Sequence, residues 1–325
     1  MEHRENEMGI LKDSWRNIKF LKTLRWRKKI VQMLLESDNF VFLQFSHPGH
    51  FYSSLPDLGE IHSKADRIFD CTPQDLPAIN LNVESQIQLV KSFSKIYGDQ
   101  PFSDNQTKNF RYFLDNKFFS FGDGIILYSC LRHFQPKRVV EIGSGFSSAA
   151  MLDINDLFMG KGIEFTFIEP FPDRLFGLLS AGDHKRVKIQ QKPVQEVELS
   201  VFTSLEANDI LFIDSSHVAK IDSDVVHIFF HILPRLKKGV IVHFHDIPWP
   251  FEYPRRWLEE GRAWNEAYFL RAFLQNNKTF EILYFNSFMV TRYAEFLREK
   301  MPKVLELPSS QETLGNSSIW IRKIL

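Results

Sequence analysis

The sequence has 325 residues, 44% of them hydrophobic, and its 40 basic residues balance 40 acidic ones. This hydrophobic fraction supports a sizeable core and argues against a disordered chain, and the length suffices for one large domain and a smaller accessory region. The zero net charge gives no indication of a nucleic-acid substrate.

The number of cysteines and the hydropathy of the sequence indicate the cellular compartment of the protein. Cys71 and Cys130 are the only cysteines. They are too few for a disulfide framework or a zinc ribbon, which favours a reducing cytoplasm. No run of about 18 apolar residues is present, so we expect no membrane-spanning helix. The charged N-terminus lacks the apolar core of a signal peptide, so the sequence predicts a cytoplasmic protein.

The first 36 residues combine basic and apolar side chains at helical spacing. Eight lysines and arginines fall between Lys12 and Lys29, interleaved with apolar residues such as Trp15 and Trp26. A basic amphipathic helix can lie peripherally on an anionic membrane, dock on a partner, or pack as a solvated helix on its own domain. We predict that residues 1–110 form a mainly helical accessory region, with a short strand at 40–45.

The later sequence changes from helical patterns to alternating strands and helices. One helix is predicted at 83–97, and two helical pieces are predicted between 110 and 134 around a glycine pair. From Arg138 onward the pattern is typical of an α/β, doubly wound, mostly parallel sheet. The predicted strands are residues 139–142, 164–169, 187–190, 209–214, 239–244, 280–285 and 318–322.

A glycine turn connects the first of these strands to a helix. Glu141 stands near the strand's end, and Gly143, Ser144 and Gly145 form the turn. The glycines permit tight backbone angles and close approach of a ligand, and the helix start offers unpaired N–H groups. A carboxylate at Glu141 would repel a pyrophosphate, but it could attract a cation or order a polar loop. The pattern therefore favours S-adenosylmethionine, whose sulfonium and ammonium groups are positive, over a dinucleotide.

The second strand ends in another acidic residue, Glu169, which lies 26 residues beyond Gly143. A carboxylate at the carboxyl end of a parallel strand can accept hydrogen bonds from ribose hydroxyls. The alternative is a helix cap ahead of Asp173. The spacing alone also permits a dinucleotide.

Asp214, His217, His245 and Asp246 follow the fourth and fifth strands and form a second candidate site. Asp214, His245 and Asp246 could ligate a divalent cation such as Mg²⁺, which would stabilise a developing alkoxide. Without a metal, His245 or His217 could take a proton from a hydroxyl, with Asp214 beside them. His243 is expected to face the other side of the strand from His245 and is interpreted as structural.

The loop over residues 247–257 contains three prolines together with aromatic and basic side chains. It either walls an acceptor pocket or packs as a lid over the sheet edge. Four residues that open the next helix can reach the same cleft: Arg262, Trp264, Asn265 and Glu266.

At these motifs the chain resembles class I S-adenosylmethionine-dependent methyltransferases over residues 135–325. Residues 141–145 resemble the family's first motif, whose backbone holds the methionine end of the cofactor. Glu169 matches the acidic residue that holds the ribose, and Asp214 matches the polar residue that ends the fourth strand. Ser147 departs from the pattern, because the family often has a third glycine there.

The resemblance also implies features that the residues alone do not give. It implies a Rossmann-like methyltransferase domain over 111–325 and a seven-stranded sheet ordered 3-2-1-4-5-7-6 with an antiparallel last strand. It places Val194 and Gln195 beside the adenine.

The sequences around Asp214 and Asp246 resemble a bacterial subgroup that is similar to metal-assisted O-methyltransferases and is often found near glycan and secondary-metabolite genes. His245 stands where some relatives carry a glutamate. The resemblance implies methyl transfer to a hydroxyl of a small molecule or glycan. The alternatives are a non-catalytic S-adenosylmethionine-binding or scaffolding protein and an NAD-dependent oxidoreductase. A homo-oligomer is compatible with the sequence, which leaves the oligomeric state open.

Overall fold

The computed structural model describes residues 28–29, 31–32, 41–70, 73, 75–310 and 314–325. The predicted basic helix within residues 1–36 therefore lies outside the described residues, apart from four positions near its end. The chain divides into two compact units, Met1–Ile68 and Phe69–Leu325, and each is described by itself. The predicted domain boundary at residue 111 stays a prediction.

The first unit contains short helices around a hydrogen-bonded loop. Beyond residue 40, its helices are α1 (Val41–Phe45), α2 (Leu58–Ser63) and most of α3 (Ala65–Phe69). The strand predicted at 40–45 is wrong, because residues 41–45 are helical. In the described part of the chain, every strand of the sheet follows residue 137. This segment therefore has no sheet partner and satisfies its backbone groups within a helix.

The second unit is built on one sheet of seven strands. The strands are β1 (Arg138–Ile142), β2 (Glu164–Ile168), β3 (Lys188–Gln190), β4 (Ile210–Ile213), β5 (Ile241–Phe244), β6 (Phe280–Phe285) and β7 (Ile319–Lys323). Their order is β3-β2-β1-β4-β5-β7-β6. Strands β1 to β5 are parallel, and β7 pairs antiparallel with both β5 and β6. The predicted fold class and strand order are confirmed.

Helices precede the first strand of the second unit and separate its later strands along the chain. They are α4 (Val83–Tyr97), α5 (Phe121–Phe134), α6 (Phe146–Phe158), α7 (Asp173–Leu178), α8 (Leu199–Thr203), α9 (Asp224–His227), α10 (Arg255–Glu259), α11 (Glu266–Leu274), α12 (Asn286–Arg292) and α13 (Ala294–Lys300). Strands β4 and β5 are buried at every position, as expected for strands covered on both faces. Within the described ranges, none of the helices has the length and hydropathy needed to cross a bilayer.

Helix α5 corrects the prediction of two helical pieces between residues 110 and 134. It is a single helix that continues through Gly122 and Gly124. A Cβ atom on Gly122 would lie 2.8 Å from the carbonyl oxygen of Gly315, and one on Gly124 would lie 2.1 Å from the hydroxyl of Tyr112. These glycines therefore allow close packing against the helix instead of interrupting it.

An ion-pair network fixes the segment that precedes α5. Arg111 donates to Asp153 at 2.6 Å and to the two carboxylate oxygens of Asp183 at 2.7 and 2.8 Å. Both carboxylates are buried, and Asp183 is also paired with Arg186 at 2.6 Å, so loss of Arg111 would chiefly leave the charge of Asp153 uncompensated. The segment that this network fixes carries Phe119, whose ring lies 5.2 Å from that of His245.

The topology places the predicted site residues at one edge of the sheet. Strands β1 and β4 are neighbours, yet β2 and β3 lie on one side of them and β5 on the other. Ligands of open α/β sheets bind at such a switch point, beyond the carboxyl ends of the strands. The glycine turn, Glu169, Asp214 and His245 all follow those ends.

Candidate cofactor and acceptor site

The glycine turn after β1 is packed tightly against the end of β4. Gly143 has a φ of +79°, and a Cβ atom there would lie 1.9 Å from the backbone oxygen of Asp214. The N–H of Gly143 donates to Ile168 at 3.0 Å, which also ties the turn to β2. Only glycine tolerates both the positive φ and the close approach to Asp214, so the backbone conformation requires glycine at this position.

Glu141 lies behind the turn and is fully buried. It accepts hydrogen bonds from the hydroxyls of Ser147, at 2.6 Å, and Ser148, at the start of α6. Burial raises the pKa of Glu141 to about 8, although these serine donors oppose the rise. The sequence suggested that Glu141 either attracts a cation or orders a polar loop. Its contacts with Ser147 and Ser148 support the second role.

Glu169 joins the turn to the segment that follows β2. Its carboxylate accepts the N–H of Ser144 at 3.1 Å and the N–H of Phe171 at 2.8 Å. A carboxylate has about four acceptor sites, so two remain for the hydroxyls of a ligand. Glu169 is half-buried, which leaves that capacity accessible.

A cavity of about 440 Å³ opens between these elements, a size typical of ligand pockets. Five of the predicted cofactor-binding residues line it: Gly143, Glu169, Val194, Gln195 and Asp214. The other three, Glu141, Ser144 and Gly145, are not among its lining residues. These three shape the turn through their hydrogen bonds, since the N–H of Gly145 donates to Ser148 at 2.9 Å.

The cavity also has a wall that the sequence did not indicate, formed by the segment from Lys220 to Asp224. The carboxylate of Asp224 accepts both the N–H and the hydroxyl of Ser216 at 2.6 Å. The carbonyl of Asp222 accepts the side-chain amide of Gln195 at 2.5 Å. A serine and an aspartate at a helix start are common caps, so nothing in the sequence distinguishes them as cavity residues.

Asp214 connects the cavity to the second candidate site. Its side chain is 38% exposed, and its Oδ1 lies 3.4 Å from Nε2 of His217. Burial favours the neutral acid, but His245 and His217 outweigh it and hold the pKa of Asp214 below its usual value. Asp214 is therefore an anion at neutral pH.

His217 is held between carboxylates in a buried position. Its Nδ1 lies 2.8 Å from Oε2 of Glu266, which is fully buried, and its Nε2 lies 3.9 Å from Oδ2 of Asp246. Burial disfavours the charged ring, but Asp214 and Glu266 hold the pKa of His217 well above its usual value. The ring is thus an imidazolium that bridges three carboxylates.

The backbone of His217 explains how α11 reaches this site. His217 has a φ of +60°, and its carbonyl accepts the N–H groups of Asn265 and Glu266 at 3.0 and 3.1 Å. A non-glycine residue in this conformation costs about 1–3 kcal/mol, which the surrounding contacts must offset. The first residues of α11 therefore hydrogen-bond to the backbone of His217, and the side chain of Glu266 contacts the ring of the same histidine.

His245 and Asp246 complete the cluster on the β5 side. Nε2 of His245 lies 3.6 Å from Oδ1 of Asp246, which also accepts the hydroxyl of Ser317 at 2.7 Å. His245 is buried, and neither ring nitrogen has a hydrogen-bond partner among the described residues. Burial lowers the pKa of His245, but Asp246 and Asp214 outweigh it, so the pKa is raised.

The expectation that His243 faces away from His245 is wrong. The two rings lie nearly parallel with their centroids 5.9 Å apart, because residues two positions apart on a strand share a face. His243 stacks on Phe212 at 3.8 Å and is fully buried. Burial and the neighbouring His245 hold its pKa well below the usual value. His243 is therefore a neutral packing residue.

The loop over residues 247–257 is a packed lid. The side chains of Trp249, Phe251, Tyr253 and Trp257 are all buried. The half-buried aromatic near the cluster is instead Trp264, whose ring lies 4.3 Å from that of His217.

The predicted metal ligands lie together but are not arranged as a ligand set. Nε2 of His217 lies between the carboxylates of Asp214 and Asp246, where a cation would have to lie. In the described ranges, no group of three or more His, Cys, Asp or Glu side chains has a geometry that could hold a metal ion. These residues as placed do not fit a divalent cation, and we derive no step through one.

The fold and the cofactor cavity define a class. A sheet ordered 3-2-1-4-5-7-6, a glycine turn after β1 and an acidic residue after β2 are the features of a class I methyltransferase. A family model described as a methyltransferase domain matches residues 140–247, which run from β1 to the end of the cluster. The chain belongs to the class I S-adenosylmethionine-dependent methyltransferases.

Comparison with other proteins gives one sequence relative and several similar structures. An uncharacterized protein of Archaeoglobus fulgidus is 34% identical over 169 residues, which cover 50% of this chain and 75% of the relative. The O-methyltransferase TomG of Streptomyces achromogenes, in complex with S-adenosylmethionine, is 12% identical with a TM-score of 0.42, covering 82% and 96% of the two chains. The methyltransferase PaMTH1 of Podospora anserina is 14% identical with a TM-score of 0.38, covering 83% and 98%. At these scores the structural likeness carries no conclusion about the acceptor.

Proposed function

We propose that this methyltransferase transfers the methyl group of S-adenosylmethionine to a hydroxyl oxygen of a small molecule, and that the acceptor is a sugar or a related polyol. The observation that carries the proposal is the position of Asp214. Its side chain lines the cofactor cavity and lies 3.4 Å from His217 of the polar cluster. One carboxylate thus belongs to both the donor side and the acceptor side.

The cavity residues suit a cofactor with a nucleoside at one end and positive charge at the other. Bound S-adenosylmethionine supplies a methyl group on a positively charged sulfur. Glu169 has acceptor sites left for the ribose hydroxyls, and Val194 and Gln195 would lie beside the adenine. The anionic Asp214 favours the positive methionine end, so it takes the part that the sequence had suggested for Glu141.

The polar cluster suits an acceptor that must lose a proton. An amine attacks through a free electron pair, but a hydroxyl is a weak nucleophile until its proton is removed. Both ring nitrogens of His217 face carboxylates, so this ring orients the cluster. Neither ring nitrogen of His245 has a hydrogen-bond partner in the described part of the chain, and the nearby carboxylates of Asp246 and Asp214 raise its pKa above the usual value. We assign the hydroxyl proton to His245, with Asp246 stabilising the resulting imidazolium.

The preference for a sugar rests on Trp264. Its half-buried ring lies 4.3 Å from that of His217 on the side of the cluster, and it packs against the lid residues Trp257 and Tyr253 at 5.2 and 6.0 Å. Aromatic faces pack well against the apolar faces of sugar rings. The experiment therefore compares sugars with other compounds that carry a hydroxyl group.

The experiment measures methyl transfer from labelled S-adenosylmethionine to sugars, other alcohols and amines. For the best acceptor, kcat is expected to rise with pH as His245 loses its proton. His245→Asn should lower kcat by about 100-fold or more and abolish this rise, with the affinity for S-adenosylhomocysteine unchanged. His231→Asn, at an exposed histidine outside the cluster, is the control. Methylation of amines but not of alcohols would refute the proposal.

A further inference from the structure

Four exposed aromatic side chains in the first unit form a surface patch. Phe42, Phe45, Phe51 and Tyr52 have 70%, 76%, 80% and 67% of their surface exposed. The ring of Tyr52 lies 4.3 Å from that of Phe51 and 5.7 Å from that of Phe45. Phe42 and Phe45 are three positions apart in α1, so they share a helix face. We call these four residues the aromatic patch.

The loop that carries half of the aromatic patch is held by its own hydrogen bonds. The N–H of Gly49 donates to Leu55 at 3.0 Å, and the N–H of Ser53 donates to His50 at 2.7 Å. Gly49 has a φ of +85°, a backbone conformation that favours glycine. The loop therefore presents its two aromatic rings in a defined conformation.

Strong positive charge lies just ahead of the patch in the sequence. Eight lysines and arginines and a single acidic residue, Asp13, occur between Lys12 and Lys29. Lys28 and Lys29 are exposed. We call residues 12–29 the basic segment, and a surface that receives it must be negatively charged.

We propose that the aromatic patch and the basic segment dock on the surface of an anionic lipid bilayer. Aromatic side chains are favoured at the level of lipid headgroups, and juxtaposed lysines and arginines are attracted by anionic lipids. The strength of such peripheral binding grows with the apolar area that enters the interface and with the electrostatic attraction to anionic lipids. The proposal does not depend on the reaction that the second unit catalyses.

The charge pattern favours a lipid surface over a second copy of the chain. A symmetric dimer formed through this region would bring two copies of a segment with eight positive charges and one negative charge into one interface, and the repulsion between like charges opposes that association. An anionic leaflet instead offers counter-charge over a wide area. A cytoplasmic leaflet of this kind agrees with the predicted cytoplasmic location.

The test is sedimentation of the full-length protein with vesicles of phosphatidylcholine alone or mixed with phosphatidylglycerol. We expect binding to the anionic vesicles that weakens as salt is raised. The triple variant Arg27→Gln, Lys28→Gln, Lys29→Gln should bind about 100-fold more weakly. Replacing all four residues of the aromatic patch by serine should weaken binding at least about tenfold.

Matched controls separate these effects from altered folding or general charge. Lys185→Gln, Lys188→Gln and Lys238→Gln remove three exposed charges from the second unit, and Phe230→Ser removes an aromatic side chain that is 60% exposed there. These variants should bind like the wild type, and circular dichroism should show all variants folded. Equal sedimentation with both vesicle types would overturn the proposal. A dimer that the patch variant converts to a monomer would overturn it in favour of self-association.

Discussion

Nδ1 of His217 lies 2.8 Å from Oε2 of Glu266, a buried carboxylate that also accepts the hydroxyl of Ser215 at 2.9 Å. The other oxygen of Glu266 is buried and has no hydrogen-bond partner among the described residues. The charge of Glu266 is therefore directed at the imidazole and at one serine. Because His217 also faces Asp214 and Asp246, Glu266 acts on the acceptor site through His217.

Glu266→Gln is expected to lower kcat by about 10- to 100-fold and to leave the affinity for S-adenosylhomocysteine unchanged. The pKa of His217 should fall, since Glu266 is among the groups that raise it. The stability that His217 contributes is complete below its unfolded pKa of about 6.5 and is lost as the pH rises through the folded value. In the variant this contribution should be smaller and its loss should be complete at lower pH, as thermal melting across the pH range would show. Glu295→Gln, at an exposed glutamate, is the control, and an equal fall in cofactor affinity would contradict the assignment.

Glu169→Ala should weaken binding of S-adenosylhomocysteine at least about tenfold, because two or more hydrogen bonds to a charged acceptor are lost. Isothermal titration calorimetry measures this directly. Glu164→Ala, at the exposed start of the same strand, should leave affinity unchanged. Cofactor affinity that survives in the Glu169 variant would remove the ribose role.

Glu141→Gln should change how stability depends on pH. Burial raises the pKa of Glu141 to about 8, so the folded protein holds a proton that the unfolded chain loses near pH 4.3. This group therefore makes the wild type less stable as the pH rises from about 4.5 to about 8, by about 1.4 kcal/mol per unit. The uncharged variant lacks this slope, so its melting temperature should exceed that of the wild type at pH 8 more than at pH 5. Identical slopes would show that Glu141 is ionised in the folded protein.

Gly143→Ala should destabilise the protein by about 3 kcal/mol or more, because its methyl group would lie 1.9 Å from the backbone of Asp214. Gly160→Ala is the matched control, with a φ of +58° and open space around the added methyl group. It should cost only about 1–2 kcal/mol, from backbone strain alone. Denaturant unfolding of both variants separates the two contributions, and equal losses would mean that the turn yields to the methyl group.

The chelator EDTA should leave methyl transfer within about twofold of its rate with added Mg²⁺, since His217 lies where a cation would bridge Asp214 and Asp246. Loss of activity in EDTA that Mg²⁺ restores would establish the cation predicted from sequence. It would also require His217 to move.

The parts of the fold and site that the sequence predicts are those governed by local pattern. Apolar runs such as 210–213 and 241–244 are typical of strands that are covered on both faces, and the carboxyl ends of parallel strands must meet at one edge. Tertiary packing decided the rest. Gly122 and Gly124 resemble a break, but they admit Tyr112 and Gly315 beside a continuous helix.

Electrostatic roles were harder to predict than positions. Glu141 was placed correctly near the turn, but its burial and its serine partners decide whether it carries charge, and neither can be derived from spacing. Glu266 was indicated only as near the cleft, because its contact with His217 spans 49 residues and depends on how α11 docks.

In the proposed function Asp214 serves both halves of the site, so we expect the occupancy of one half to alter the affinity of the other. A positively charged donor neutralises this carboxylate and weakens its hold on the imidazolium, so donor and acceptor bind with thermodynamic linkage, equal in both directions. Transfer of the methyl group leaves a neutral thioether beside the same carboxylate. The attraction that retained the donor then disappears, and turnover itself promotes release of the spent cofactor.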